Sequence, residues 1–528
     1  MTALPGWLEP LFEAQEMRDV DAWAIDTQGV PSLDLMERAG EGLARITAAV
    51  ARPGPVRVVV GKGNNGGDGL VVARLLREEG REVDVLAVAD LEGLQGDAKA
   101  NLDHLPGDPP ERFDAAALAG SGVVVDAMLG TGFSGEPREP IASAIAALND
   151  QDAPVVACDV PSGVDTTTGR VEGQAVRATV TGTFHGAKLG LYVAPGAFHA
   201  GRVEVIRIGV PRGAPSAERA GLIGDEVLDL YPHRTRDGSK FTSGVVVIAG
   251  GGEGLTGAPT MAALSAQRAG AGYVQVAVPE AAQTTLELRL LEAMTRGLPD
   301  RDGGHTEQGA EVLAEMAERA GAVVLGPGLG RTDGAVAFAL AAAQSVEAPL
   351  LIDADGLNAH AGRLEDLEAR IGPTVLTPHE AELGRLLGRE PDDIAADRLA
   401  AVREAAATSG AVTLLKGDDT IVARPDGLVA VSRGGTPALA TAGTGDVLSG
   451  LIGTLLAKGV EPFAAAALGT LAHVRAGKAA ADRHGSDHVV AGDVIEALPS
   501  ALHARGSRAQ PPAASLGNPR AQPPAASQ

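Results

Sequence analysis

The strongest constraint on this chain's fold is a recurring pair: a short apolar run followed at once by a glycine-rich loop. Val56–Val60 leads into Gly61-Lys-Gly-Asn-Asn-Gly-Gly-Asp-Gly69. Gly122–Met128 leads into Leu129-Gly-Thr-Gly-Phe-Ser-Gly-Glu136, and Pro154–Asp159 into Val160-Pro-Ser-Gly163. Helical patterns at Gly69–Gly80 and Ala142–Asn149 lie between them, and Glu82–Ala89 and Val203–Ile208 read as further strands. Strands alternating with helices predict a mainly parallel sheet, an α/β fold. In such a sheet the loops after the strands line up along one edge, where ligands bind.

The rhythm then restarts. Gly209–Ser216 holds two prolines and two glycines and reads as a boundary. Beyond it come strands at Gly244–Ala249, Tyr273–Val278, Ala322–Leu325, Pro349–Ile352, Thr374–Leu376 and Val412–Leu415, with a helix at Thr260–Ala269. A chain of 528 residues is too long for one ordinary core. Two domains are expected, over residues 1–215 and 222–503. The tail, 505–528, repeats Arg508–Ser515 as Arg520–Ser527. Its Pro/Ala/Ser composition cannot build a core, so disorder is expected there.

Charge and composition narrow the partners. With 44 Lys+Arg against 68 Asp+Glu, the net charge is −24, which argues against general affinity for nucleic acid or an anionic membrane. Any phosphate must be held by backbone N–H groups and a few lysines. Cys158 is the sole cysteine, so no internal disulfide forms. No apolar run is long enough to span a bilayer, and Met1–Glu13 lacks the pattern of a secretory leader. A cytoplasmic protein is the expectation.

Gly443-Thr-Gly-Asp446 carries the sharpest chemistry. It precedes an apolar helical run, Val447–Ala457. A helix entered through Gly-x-Gly points free N–H groups at an anion. An aspartate there would repel a phosphate unless it takes a proton from a hydroxyl that attacks a phosphoryl group. Lys416-Gly-Asp-Asp-Thr420, after another strand, offers a lysine and N–H groups to a nucleotide. In the first half, Gly61, Gly63 and Gly66 match G-x-G-x-x-G, a weak dinucleotide signal alone, and the Gly-Lys-Ser/Thr of a P-loop is missing. Glycines also explain a tight strand-to-helix turn without any ligand. Asn65, Asp126 and Ser162, on three loops of one edge, offer oxygens to a monovalent cation.

These loops, with Leu33-Asp-Leu-Met-Glu-Arg-Ala-Gly40 and Lys188, resemble the NAD(P)H-hydrate epimerase domain over about residues 10–210. The resemblance implies a Rossmann-like three-layer fold that interconverts the R and S hydrates of NADH and NADPH. It also implies potassium on Asn65, Asp126 and Ser162, and acid–base roles for Asp159 and Lys188. Substrate contacts are then expected from Asn64, Asn65, Gly66, Gly67, Asp68, Gly130, Thr131, Gly132, Phe133, Ser134, Gly135, Glu136 and Asp159.

The second half, with Gly250–Gly257, Gly326–Gly330, Asp353–Asn358 and Gly443–Asp446, resembles the ribokinase-like superfamily over about 222–503, a three-layer α/β fold. Its vitamin and sugar kinases commonly carry Thr-Pro-Asn-x-x-Glu, whereas this chain has Thr377-Pro-His-Glu-Ala-Glu382. That departure resembles the NAD(P)H-hydrate dehydratase branch. It implies that Ala258, Gly328, His379 and Asp446 contact the hydrate. Lys416, Gly417, Asp418, Asp419, Thr420 and Gly445 would hold ADP or ATP with Mg2+, and Asp446 would be the base. The expected whole is a bifunctional repair enzyme, a homo-oligomer acting on NADH and NADPH hydrates. The alternatives are a small-molecule kinase fused to a Rossmann-like binding module, a first half that has lost its chemistry, and, weakest, a dehydrogenase.

Overall fold

The computed structural model describes residues 4–503. The Pro/Ala repeat lies outside the described residues. Two sheets organise the rest, and each is covered on both faces by helices.

The first sheet is parallel throughout. Its strands run in the order Glu111–Arg112, Val83–Ala87, Val56–Val60, Val123–Ala127, Val155–Cys158, Val180–Phe184, Arg202–Ile206. Val58 and Val60 pack with Leu35, Leu43 and Leu70 from helices Ser32–Val50 and Asn64–Glu78. Val59 faces the other way, onto Ile145 and Leu148 of Ile141–Asn149. Alternate residues of one strand thus serve two cores, which is why the strand reads as unbroken valine. Each such side chain, fully enclosed, contributes about 1.5–3 kcal/mol of apolar burial. Chain order reverses between Val56–Val60 and Val123–Ala127, so a crevice opens between the loops that follow them.

The second sheet has twelve strands. Its parallel core runs Met294–Leu298, Tyr273–Pro279, Val245–Ala249, Ala322–Leu325, Leu350–Ile352, Thr374–Leu376, Val412–Leu415. Ile421–Ala423 and Val429–Val431 then form an antiparallel hairpin. The far edge is built by Ala220–Ile223, then by Leu8–Phe12, then by Ala187–Lys188. Strand Leu8–Phe12 comes from before the first sheet in the chain, yet it pairs antiparallel with Ala220–Ile223, with Leu8 opposite Ile223. Its other end pairs parallel with the first half, with Phe12 opposite Lys188.

Three helices start well before the sequence expectation, the one expected at Thr260–Ala269 running over Gly257–Arg268. The helix after Val56–Val60 begins at Asn64, not Gly69. Gly66 and Gly67 therefore sit inside its first turn, where Gly66 meets the Gly61 carbonyl and Gly67 meets Met36 and Ala98 too closely for a β-carbon. Packing overrides their poor helix propensity. Likewise the helix expected from Val447 begins at Thr444. No helix among the described residues is long and apolar enough to cross a membrane.

Candidate active sites

In the first half the glycine loops converge on Asp159. This residue has φ 65°, in the left-handed region that few non-glycine residues adopt, Asn, Asp and His most readily. Lys188 Nζ donates to Asp159 Oδ1 at 2.6 Å and to the Phe184 carbonyl at 2.7 Å. Thr183 Oγ1 and the Phe184 amide also donate to Oδ1, both at 3.1 Å. Among the described residues, Oδ2 accepts only from Thr131 Oγ1. Burial opposes ionisation of Asp159, but the Lys188 charge and these donors overcome it and hold the carboxyl below its usual range. Asp68, enclosed beside Asp159 and Asp21, is pushed well above its usual range, by burial first and by those two carboxylates second. Two neighbouring acids are thus driven in opposite directions.

Asp126 is fully enclosed. Its Oδ2 accepts from the Ser162 amide at 2.8 Å, and its Oδ1 from Ser162 Oγ at 2.6 Å. Ser162 Oγ in turn accepts from the Leu129 amide at 2.9 Å. Asn65 Nδ2 donates to the Leu129 carbonyl at 2.7 Å, and a β-carbon on Gly130 would stand 3.1 Å from Asn65 Oδ1. The three expected cation ligands therefore share one spot beneath the Gly130 loop. Burial lifts the Asp126 carboxyl to about 6. Within Gly130–Glu136, Thr131 reaches Asp159, while Glu136 lies out beside Gly173.

In the second half, Gly443 caps the Thr444–Ala457 helix at φ 92°, and a β-carbon there would strike Met261 Sδ. Thr444 Oγ1 donates to the carbonyls of Leu439 at 2.7 Å and Thr441 at 2.8 Å, which ties the turn to the loop before it. Asp446 stands in the first turn. Burial, then the negative Asp353, raises its carboxyl to about 7, against the pull of Lys416. Lys416 Nζ lies 2.9 Å from Asp353 Oδ1 and 3.6 Å from Glu382 Oε2. Burial would lower the Lys416 pKa, but these carboxylates raise it, so the ammonium is secure. Ser449 Oγ donates to Asp353 Oδ2 at 2.6 Å.

His379 caps the Glu380–Leu387 helix. Its Nδ1 accepts from the amides of Ala381 at 3.1 Å and Glu382 at 3.4 Å, and the His379 amide donates to Glu382 Oε2 at 2.9 Å. With Nδ1 accepting, the neutral ring carries its proton on Nε2. Ala258 and Gly328 also meet: a β-carbon on Gly328 would stand 3.2 Å from Ala258 Cβ.

A cavity of about 460 Å³ opens beside the helix start, lined by Lys416, Gly417, Asp418, Thr420, Thr444 and Gly445. Asp419 is not part of this lining. It is buried, with its carboxylate 3.1 Å from Arg398 Nε, and it accepts from the Ala194 amide of the first half at 2.8 Å. The sequence points to Asp353 and Glu382 only as members of the Asp353–Asn358 and Thr377–Glu382 motifs, without a role for either, and gives no sign of Ser449 or of His473, which also lines the cavity. A larger cavity, about 830 Å³, lies past Val83–Ala87 beside Asp90 and Lys99, away from the chemistry of either loop cluster.

Residues 245–500 match the family described as NAD(P)H-hydrate dehydratase, and residues 32–190 match the YjeF-related protein N-terminus. A bifunctional NAD(P)H-hydrate repair enzyme of Salinibacter ruber is 42% identical, covering 93% of this chain and 95% of its own. Its counterpart from Moorella thermoacetica is 40% identical, covering 93% and 96%. The chain belongs to the bifunctional NAD(P)H-hydrate repair enzyme family. The two family matches fall on the two sheets, so the repair family's bifunctional layout coincides with the two residue clusters. A solved ADP/ATP-dependent NAD(P)H-hydrate dehydratase of Bacillus subtilis, co-crystallised with ATP/Mg2+, is 28% identical, covers 53% of this chain and 96% of its own, and has a TM-score of 0.46.

Proposed function

We propose that the first half interconverts the R and S hydrates of NADH and NADPH, and that the second half returns the S hydrate to NAD(P)H at the expense of ADP or ATP. The observation that carries the second step is Asp446, a carboxyl with a pKa of about 7 at a helix start beside the Lys416 ammonium. Hydroxide leaves C6 of the reduced ring poorly. Asp446 takes the C6 hydroxyl proton as that oxygen bonds to the terminal phosphorus, and the nucleotide departs one phosphoryl group shorter. The Gly445 amide and Lys416 stabilise charge on the moving group. The ring-nitrogen lone pair then expels phosphate from C6, and loss of a C5 proton restores the double bond. Ala258, Gly328 and His379 contact the hydrate, and the Nε2–H of His379 is the donor it offers. The nucleotide lies along Lys416–Thr420, with Asp419 holding that loop from behind.

Mg2+ would arrive on the nucleotide phosphates and neutralise their charge. Among the described residues no three His, Cys, Asp or Glu side chains form a metal cluster, and Lys416 already occupies Asp353.

In the first half, epimerisation at C6 needs a bond to C6 broken and remade: as a base takes the C6 hydroxyl proton, the oxygen becomes a carbonyl, the N1–C6 bond breaks and the ring nitrogen takes a proton from water, and closure on the other carbonyl face reverses each step. Asp159 Oδ2, with a single donor among the described residues, is the atom that takes this proton and gives it back on closure. Lys188 is 1% exposed and acts through Asp159 by keeping it ionised. Potassium fits Asn65, Asp126 and Ser162, since the donors are all oxygens with one enclosed carboxylate whose burial calls for a cation. Bound there, it would supply a fixed positive charge beside the glycine loops. The buried thiol of Cys158 fits a reducing, cytoplasmic setting.

A small-molecule kinase is disfavoured by the similarity to repair enzymes along nearly the whole chain. The deciding experiment supplies S-hydrated NADH and ADP, or ATP, and follows the near-ultraviolet absorbance of the dihydronicotinamide. Asp446→Asn should abolish its return with the fold intact, and undiminished recovery would refute the role of Asp446.

A further inference from the structure

One wall of the nucleotide cavity comes from the other half of the chain. Phe198, in the short helix Ala197–Ala200 that follows the Lys188 segment, lines the same cavity as Lys416, Thr420 and Gly445. It is the one lining residue from the first half among those described, and the one phenylalanine. Phe198 is 67% exposed in a chain with only 8 phenylalanines. A lone exposed aromatic is ordinary on a surface, so its exposure alone says little. Its anchoring is what gives it meaning.

The Ala194 amide donates to Asp419 Oδ2 at 2.8 Å, and all the partners of that contact are buried. Arg398 Nε donates to the same Asp419 oxygen at 3.2 Å, and Arg398 Nη2 to the Lys416 carbonyl at 3.2 Å. One buried ion pair therefore fixes both the Lys416–Thr420 loop and the segment leading to Phe198. Gly196 is tied to the Gly169 carbonyl at 2.7 Å and Phe198 to the Pro195 carbonyl at 3.0 Å. The ring is delivered to the cavity by a short, fully bonded path. The rest of the lining includes phosphate-suited groups (Lys416 and the Gly445 amide), apolar ones such as Pro437, Leu439 and Val474, and polar ones, among them Asp418, Thr436 and His473.

We propose that Phe198 stacks on the purine base of the phosphoryl donor, so that the epimerase half completes the dehydratase half's nucleotide site. This rests on the reading of the cavity as the donor site. An aromatic face recognises a base by its π surface, and favours a purine over a smaller pyrimidine.

The test uses the full chain. Phe198→Ala should raise the KM for ADP about tenfold while leaving kcat at saturating ADP in place. Phe198→Tyr should restore the KM. Pyrophosphate, which has no base, should bind wild type and Phe198→Ala equally by calorimetry, and R-to-S epimerisation should be unchanged. If wild type consumes ADP and Phe198→Ala shows an unaltered KM, or loses pyrophosphate binding in step with ADP, the stacking role falls alone. A wild type that neither binds nor consumes ADP or ATP overturns the donor-site reading, and the stacking role with it.

Discussion

Lys188 Nζ and Asp159 Oδ1 lie 2.6 Å apart in a site that solvent hardly reaches. The bond commits one carboxylate oxygen to structure and leaves the other for chemistry. A buried pair of this kind is poor evidence of stability, because each charge has been taken out of water. It is better evidence of an ionisation state that the site maintains.

Removing Lys188 should therefore be worse for epimerisation than its lack of exposure suggests. Lys188→Met leaves Asp159 enclosed without its cation, and the carboxyl then protonates. The R-to-S rate should fall about 10²-fold or more, with ADP-dependent dehydration of supplied S hydrate retained. The wild-type pair also has a pH signature. The Asp159 pKa is lowered on folding, so its contribution to stability is present above the unfolded value of about 4. It is lost as pH falls through the lower folded value. Acid denaturation of Asp159→Asn should lack that component.

Asp446 has the opposite sign. Its folded carboxyl is raised to about 7. As a base it must be ionised, so dehydratase kcat should climb with pH and level off above about 7. Its ionisation opposes folding: the contribution to stability is whole below about 4 and is lost as pH rises through about 7. Asp446→Asn should therefore unfold at higher denaturant than wild type at pH 8, by roughly 1–3 kcal/mol, with no gain at pH 4. A pH series of denaturant melts would read this directly.

Gly326 offers a purely steric test. Its φ is 122°, and a β-carbon there would collide with the Asp353 carbonyl. Gly326→Ala should cost about 2–4 kcal/mol of stability and displace Asp353 from Lys416. ADP binding by calorimetry should weaken along with the melt. A variant with wild-type stability would show that the loop can move aside cheaply.

The cation site can be checked without turnover. Potassium should raise the thermal midpoint of the full chain relative to lithium at equal ionic strength. Asp126→Asn and Asn65→Ala should remove that difference. A midpoint indifferent to the cation in wild type would exclude a potassium site at these residues.

Much of the parallel core was legible because it is made of short valine and leucine runs ended by glycine. Ala322–Leu325 and Val412–Leu415 fall where the residues alone place them. The loops were legible for the same reason: Gly326 and Gly443 stand where another backbone or side chain comes too near for a β-carbon, and Gly130 packs tightly on Asn65. What stayed hidden is long-range. Nothing local in Leu8–Phe12 announces pairing with residues more than two hundred positions away. Asp419 sits inside a nucleotide-like loop and reads as a ligand, but its partners Arg398 and Ala194 are distant in sequence. Asp353 and Ser449 join only because a strand end and a helix turn meet across the sheet.

The strand Leu8–Phe12 makes the two halves more than neighbours on a string. It is covalently part of the first half, hydrogen-bonded into the second sheet beside Ala220–Ile223, and in register with the Lys188 segment. A protease that nicked the 209–216 connection would thus cut the chain without parting its products. The upstream fragment would still hold its own edge strand inside the downstream one, as a guest that cannot leave without unzipping. Two polypeptides divided at that point and expressed together should find each other by the same strand, and neither alone would present a finished edge.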